Sequence, residues 1–177
     1  NTNTTSYSYK VYPVDTCGVS QSPPPFNDPI YYGEVSFAKT ILLNIEKSNN
    51  EKGFFNTVSF NEYEKWLGNV SKYELYRSIN NKPYNLVPIW IWDRKNKPEE
   101  ELIFHDQVTY EGKGNGRFCY YIKASEGNIT PYGAIPEGSS SNIACVSQTP
   151  LIYMPNTFTP NNDEHNELFM PETYFVS

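Results

Sequence analysis

RFCYYIKASEG, residues 117–127, alternates along an extended chain: Phe118, Tyr120, Ile122 and Ala124 fall on one side, Cys119, Tyr121 and Lys123 on the other. Successive side chains of a strand point to opposite faces, so a period of two in aromatic and aliphatic residues marks a strand with one packed face. The same pattern recurs along the chain. Residues 7–14 set Tyr7, Tyr9 and Val11 against Ser8, Lys10 and Tyr12, and further strands are expected at 37–45, 54–60, 72–77, 84–92, 102–104 and 142–146. Turn material separates most of them: a polar stretch at 47–53, GKGNG at 112–116 and a Gly/Pro/Ser-rich loop at 127–141. Almost nothing has the 3.6-residue period of a long helix. Many short strands at this spacing predict an all-β sandwich rather than alternating β-α units.

The chain has 177 residues, room for one ordinary domain and part of another. Fourteen Lys and Arg against twenty Asp and Glu give a net charge of -6, the wrong sign for a phosphate backbone, so no nucleic-acid partner is expected. Fifteen Tyr within a 38% hydrophobic content suit half-buried strands. No apolar run approaches the roughly twenty residues that span a bilayer as a helix, so no direct membrane span is expected.

Three Cys are too few for a dense disulfide scaffold and lack the close pairing of a structural zinc site. Cys119 and Cys145 sit in separate strand-like runs, FCYYI and IACV, and are expected to form a disulfide if the domain is exported; otherwise they are two buried thiols. Cys17, followed by Gly18, stands alone in a turn.

The run from Tyr7 aligns with that from Phe118, Tyr9 meeting Tyr120 and Val11 meeting Ile122, a match that a shared repeat and two unrelated amphipathic strands explain equally well. Taken as a repeat, it divides the chain into 1–46, the last strands of one sandwich; 47–148, a complete second sandwich; and 149–177, the start of a further domain.

Three stretches carry a family resemblance. WLGNVSKYELYR (66–77), RFCYYIKASEG (117–127) and SNIACV (141–146) together resemble the fibronectin type III-like repeats that precede the sorting region of very large exported surface proteins of Bacteroidota. YKVYPVDTCG (9–18) with AKTILL (38–43) resembles the closing strands of a preceding repeat. YMPNTFTPNNDEHNELF (153–169) resembles the opening of the gliding motility-associated C-terminal domain, the type B sorting domain recognised by the type IX secretion system. The match falls on Pro155, Asn156, Phe158, Thr159, Pro160, Asn161, Asp163, Asn166 and Phe169, while Thr157 replaces a common alanine and Asn162 and Glu164 stand where glycine is usual. The resemblance implies an immunoglobulin-like or fibronectin type III-like β-sandwich with flanking partial β domains. It also implies export to the bacterial cell surface or beyond, with the secretion translocon or its shuttle proteins and surface-attachment machinery as partners.

The chemistry of the residues fits that role. Asn161, Asp163, Asn166 and Glu167 supply the oxygen ligands Ca²⁺ prefers, but without the glycine and terminal ligand of an EF-hand loop, so a self-bonded Asx turn is the preferred reading and no cofactor is expected. With only His105 and His165, no nucleophile-base-orienter set assembles: Cys119 with His105 competes with the disulfide, and Asp106 faces away from its neighbour in a strand. The expected role is a noncatalytic stalk and sorting segment of a cell-surface adhesin involved in attachment or gliding. The alternative is an accessory module of a secreted polysaccharide-degrading enzyme.

Overall fold

The computed structural model describes residues 8–9, 38–64, 69–96, 101–127, 138–160 and 168–177. Among them the regular structure is all-β apart from one turn of 3-10 helix, Thr109–Glu111. A three-stranded antiparallel sheet has the order β3 (Leu43–Asn50), β4 (Gly53–Phe60), β7 (Ile103–Gln107). Facing it is a sheet ordered β10 (Ala144–Ser147), β8 (Arg117–Glu126), β5 (Val70–Ile79), β6 (Trp90–Asp93), with β9 (Gly138–Ser140) paired to the far end of β8. Two short ladders lie outside these sheets: β1 (Ser8–Tyr9) with β2 (Ala38–Lys39), and β11 (Leu151–Tyr153) with β12 (Glu172–Tyr174).

The two main sheets form a β-sandwich because each presents one apolar face. Along β4 every second residue, Phe54, Asn56, Val58 and Phe60, is buried, and along β8 Phe118, Tyr120, Ile122 and Ala124 are. These residues meet Tyr73 and Leu75 of β5 and Trp92 of β6 in one core. Phe60 contacts Tyr73 edge-on with ring centroids 5.0 Å apart, an arrangement the aromatic quadrupole favours. One margin of the sandwich is closed by Trp90 against Phe104, 5.7 Å between centroids. At the other, the Asn142 amide exchanges both its hydrogen bonds with the backbone of Leu43, accepting from its N–H at 2.7 Å and donating to its carbonyl at 3.1 Å.

Three expectations need correction. The division expected between 46 and 47 falls inside β3, which pairs with β4 along all eight residues, Leu43 with Phe60 to Asn50 with Gly53. Ile41 and Leu43, expected in a preceding domain, are therefore part of the sandwich core. The polar run from Lys47 was expected to be a turn. It remains strand because its side chains are exposed while its backbone groups pair with β4; the turn is only Glu51 and Lys52, closed by Gly53 at φ 123. A side chain at Gly53 would also collide with Thr109, 2.0 Å from its Oγ1.

The strand expected at 84–92 shrinks to β6. Pro83 and Pro88 have no N–H to give to a ladder, and the chain between them keeps one bond to β5, from the Asn85 N–H to the Arg77 carbonyl at 3.0 Å, but turns outward at Leu86, 99% exposed. Within β6, Trp92 enters the core and Ile91 faces outward. Of the strand expected at 7–14 and its resemblance to β8, only Ser8 and Tyr9 are described, paired with Lys39 and Ala38. Cys17 lies outside the described residues.

Candidate functional site

A chain of buried polar groups crosses the sandwich between the sheets. Asn56, inward-facing on β4, donates from Nδ2 to the Tyr120 hydroxyl of β8 at 2.7 Å, and that hydroxyl donates to Asp106 Oδ2 of β7 at 2.7 Å. Arg77 of β5 reaches both oxygens of Asp106 from Nη1 at 2.8 Å and Glu111 Oε1 from Nη2 at 3.2 Å. Gln148 closes the other end, donating to Asn56 Oδ1 at 2.7 Å and to the Phe55 carbonyl at 3.1 Å.

Each member bonds the next, as expected where an unpaired polar atom costs about 1–3 kcal/mol and an unpaired charge more; Arg77 Nε is the exception, buried without a partner. Burial by itself lowers the pKa of Arg77, but the charge and hydrogen bonds of Asp106 outweigh it and raise the net value. Burial, followed by the charge of Asp106, pushes the Tyr120 hydroxyl far above the ordinary tyrosine range. Sequence reading missed this relay. Its one visible signal was polar residues at inward positions of alternating strands, Asn56 in GFFNTVSF and Arg77 in VSKYELYRSI.

The relay ends at Glu111, on the wall of an open pocket of about 260 Å³ between the loop after β5 and the 3-10 turn before β8. Asn80, Lys82, Asn85, Tyr110 and Lys113 also line it. Asn80 and Asn81 sit at φ 52 and 62, left-handed positions that Asn tolerates better than most residues. The turn they make is held by the Lys82 N–H on the Ile79 carbonyl at 3.0 Å and by the Ser78 hydroxyl on the Lys82 carbonyl. The Asn80 amide ties the two loops together, donating from Nδ2 to the Lys113 carbonyl at 2.8 Å. Tyr110 stands on the rim with 89% of its surface exposed.

A second feature joins the C-terminal segment to the sandwich. Phe175, only 1% exposed, inserts edge-on against Phe54 with centroids 4.9 Å apart and against Phe118 at 6.0 Å. Its N–H donates to the Gly112 carbonyl, and Val176 bridges Lys113 in parallel. The GKGNG stretch, expected as a turn, is also the socket. A Cβ on Gly116 would lie 2.7 Å from the Phe175 Cβ, and one on Gly112 2.7 Å from Tyr174 Cδ1, so only glycine admits the aromatic pair. Phe175 itself is held at φ 55, a conformation costly for a bulky residue and kept here by the packing around it.

Between this anchor and Gln148 most of the described residues are open to solvent. Leu151, Ile152 and Tyr153 are consecutive and all exposed, so neither face of the β11–β12 ladder is covered by the described residues. Of the residues matched to the sorting motif, Pro155, Asn156, Phe158, Thr159 and Pro160 follow β11 without regular structure, and Phe158 meets Phe169 with centroids 6.0 Å apart. Asn161, Asp163, Asn166 and Glu167, and with them the calcium candidates, lie outside the described residues, as does His165.

Cys119 and Cys145 are directly opposed in the β8–β10 ladder and joined as a disulfide, with Cys145 exposed. His105 is on the outer face of the other sheet, 3.1 Å from Thr57 Oγ1, whereas its neighbour Asp106 points inward. The structure thus brings none of Cys119, His105 and Asp106 into one site. Among the described residues, no three His, Cys, Asp or Glu are grouped so as to hold a metal ion. No family model, no curated protein and no solved structure matches the chain.

Proposed function

We propose that this chain is a noncatalytic stalk and sorting segment of a type IX-secreted cell-surface protein, an adhesin acting in attachment or gliding. The observation that carries the reading is the aromatic joint. A stalk that bears load along its length needs covered cores and stiff connections between modules. Phe175 and Tyr174 give the segment after the sandwich a buried anchorage on Phe54, Gly112 and Gly116. Burying a side chain the size of Phe175 contributes about 2–3 kcal/mol, enough to bias the connection toward one geometry.

Two further observations support the finer assignment. Three strands, β3-β4-β7, facing four, β6-β5-β8-β10, support the fibronectin type III-like reading, in which β3 is taken as the first strand. The strands β11 and β12 that flank the motif-bearing segment pair with each other, and the exposed Phe158, Leu168 and Phe169 offer apolar surface to the export machinery. The translocon or its shuttle is the immediate partner in this reading.

Deleting the chain from residue 153 onward in the intact parent tests the proposal: secretion and surface attachment should both be lost. Unchanged secretion and attachment would overturn the sorting role. The alternative parent, a secreted polysaccharide-degrading enzyme carrying this module as an accessory, is favoured by one observation, the exposed ring of Tyr110 beside a polar pocket. It requires a catalytic domain elsewhere in the same polypeptide, where the adhesin reading requires further repeats.

A further inference from the structure

We infer that the pocket between Tyr110 and Glu111 is a saccharide-binding site, an assignment that goes beyond the stalk reading and holds for either parent. A sugar ring has an apolar C–H face and hydroxyls that both donate and accept hydrogen bonds. Its site therefore needs a flat aromatic surface together with fixed groups of both kinds.

The pocket has these parts. Tyr110, 89% exposed, supplies an uncovered aromatic ring from a short 3-10 turn whose backbone is closed by the Glu111 N–H on the Val108 carbonyl at 3.0 Å. The Glu111 carboxylate accepts, the ammonium groups of Lys82 and Lys113 donate, and the Asn85 amide does both. A ligand of a single charge sign would face both lysines and the carboxylate; a polyol satisfies each. The volume, about 260 Å³, lies just below the range of about 300–1,000 Å³ typical of drug-sized ligands, which suits a small sugar unit of a longer glycan.

Preorganisation separates this pocket from an ordinary surface dimple. Glu111 is oriented by Arg77, Arg77 is locked by its bond to both oxygens of Asp106, and Asp106 accepts from the buried Tyr120 hydroxyl, which in turn accepts from Asn56. The two walls are tied by the Asn80–Lys113 bond at 2.8 Å. A wall fixed before the ligand arrives avoids the ordering cost that makes exposed side chains weak binders.

The test is an NMR titration of the isotope-labelled intact chain with cellohexaose, xylohexaose, mannohexaose and chitohexaose, with an acidic peptide as comparison. At least one oligosaccharide should shift the amides of residues 79–85 and 109–113 saturably. Tyr110→Ala should weaken that binding about tenfold or more without lowering the melting temperature, because the ring is outside the core. Glu111→Gln should weaken it as well, and Tyr110→Phe should retain most of it. The proposal is overturned if none of the four sugars shifts those amides, if Tyr110→Ala binds as the parent does, or if only the peptide binds there. None of these results bears on the deletion from residue 153, so the site and the stalk reading fail separately.

Discussion

At the scale of single residues, the stability of the fold depends on polar groups that the core forces into contact. Asp106→Ala strands the buried guanidinium of Arg77 and the hydroxyl of Tyr120, and should cost about 3–5 kcal/mol in urea unfolding. Tyr120→Phe, which removes one hydroxyl but keeps the ring, should cost about 1–3 kcal/mol. Tyr73 carries a pH dependence. Burial raises its pKa from 10.0 to about 12, against the lowering effect of the Tyr63 N–H that it accepts at 2.9 Å. The unfolded chain then releases the proton first. The contribution of the neutral hydroxyl is complete below pH 10 and is lost as pH rises through 12, about 2 kcal/mol by that point. Tyr73→Phe should flatten the stability profile over that window, measured by denaturant unfolding at successive pH values. The inward position of Tyr73 could be read from alternation; the partner of its hydroxyl could not, since Tyr63 lies in a loop whose path depends on the fold.

At the scale of elements, β8 was legible because Phe118, Tyr120, Ile122 and Ala124 recur at every second position, β4 because Phe54, Val58 and Phe60 share one face, and the turn at 112–116 because glycine marks it. The end of β3 and the start of β6 were not. In β3 the last residues have no apolar side chains, and only the partner strand keeps them extended; before β6 the apolar residues continue past two prolines that break the ladder. The β8–β10 pairing adds a covalent element, since the disulfide ties an edge strand across a separation of 26 residues. Loop-closure entropy for such a span is worth about 3.5 kcal/mol. The double replacement Cys119→Ser with Cys145→Ser should therefore lower stability by about that amount. Amide exchange should accelerate first in β10, which lies at the margin of its sheet, and later in the central strands. Equal acceleration in all strands would mean that the bond stabilises the sandwich as a whole rather than its edge.

At the scale of the whole molecule, the segment after the sandwich is anchored on it by the aromatic pair Tyr174 and Phe175. Phe175→Ala should cost about 3 kcal/mol and speed proteolytic cleavage between 149 and 171, with the sandwich itself remaining resistant. If cleavage is unchanged, the joint is not what restrains that segment. Nothing in TYFVS distinguished Phe175 from an exposed aromatic, because its burial depends on glycines some sixty positions earlier that leave room for it. The pocket behind Glu111 was hidden for the same reason, as its walls come from loops that meet only when β5 and β8 pair. By itself the sequence determined the all-β class, most of the strands, the acidic surface and the pairing of Cys119 with Cys145 as a candidate bond, since these follow from local periodicity, composition and residue type. Only the tertiary structure decided that β3 belongs to the sandwich, that Asn56, Asp106, Tyr120 and Arg77 form one relay, and that Phe175 returns to the core. Those outcomes depend on which distant groups share a buried volume, and a local pattern along the chain carries no measure of that.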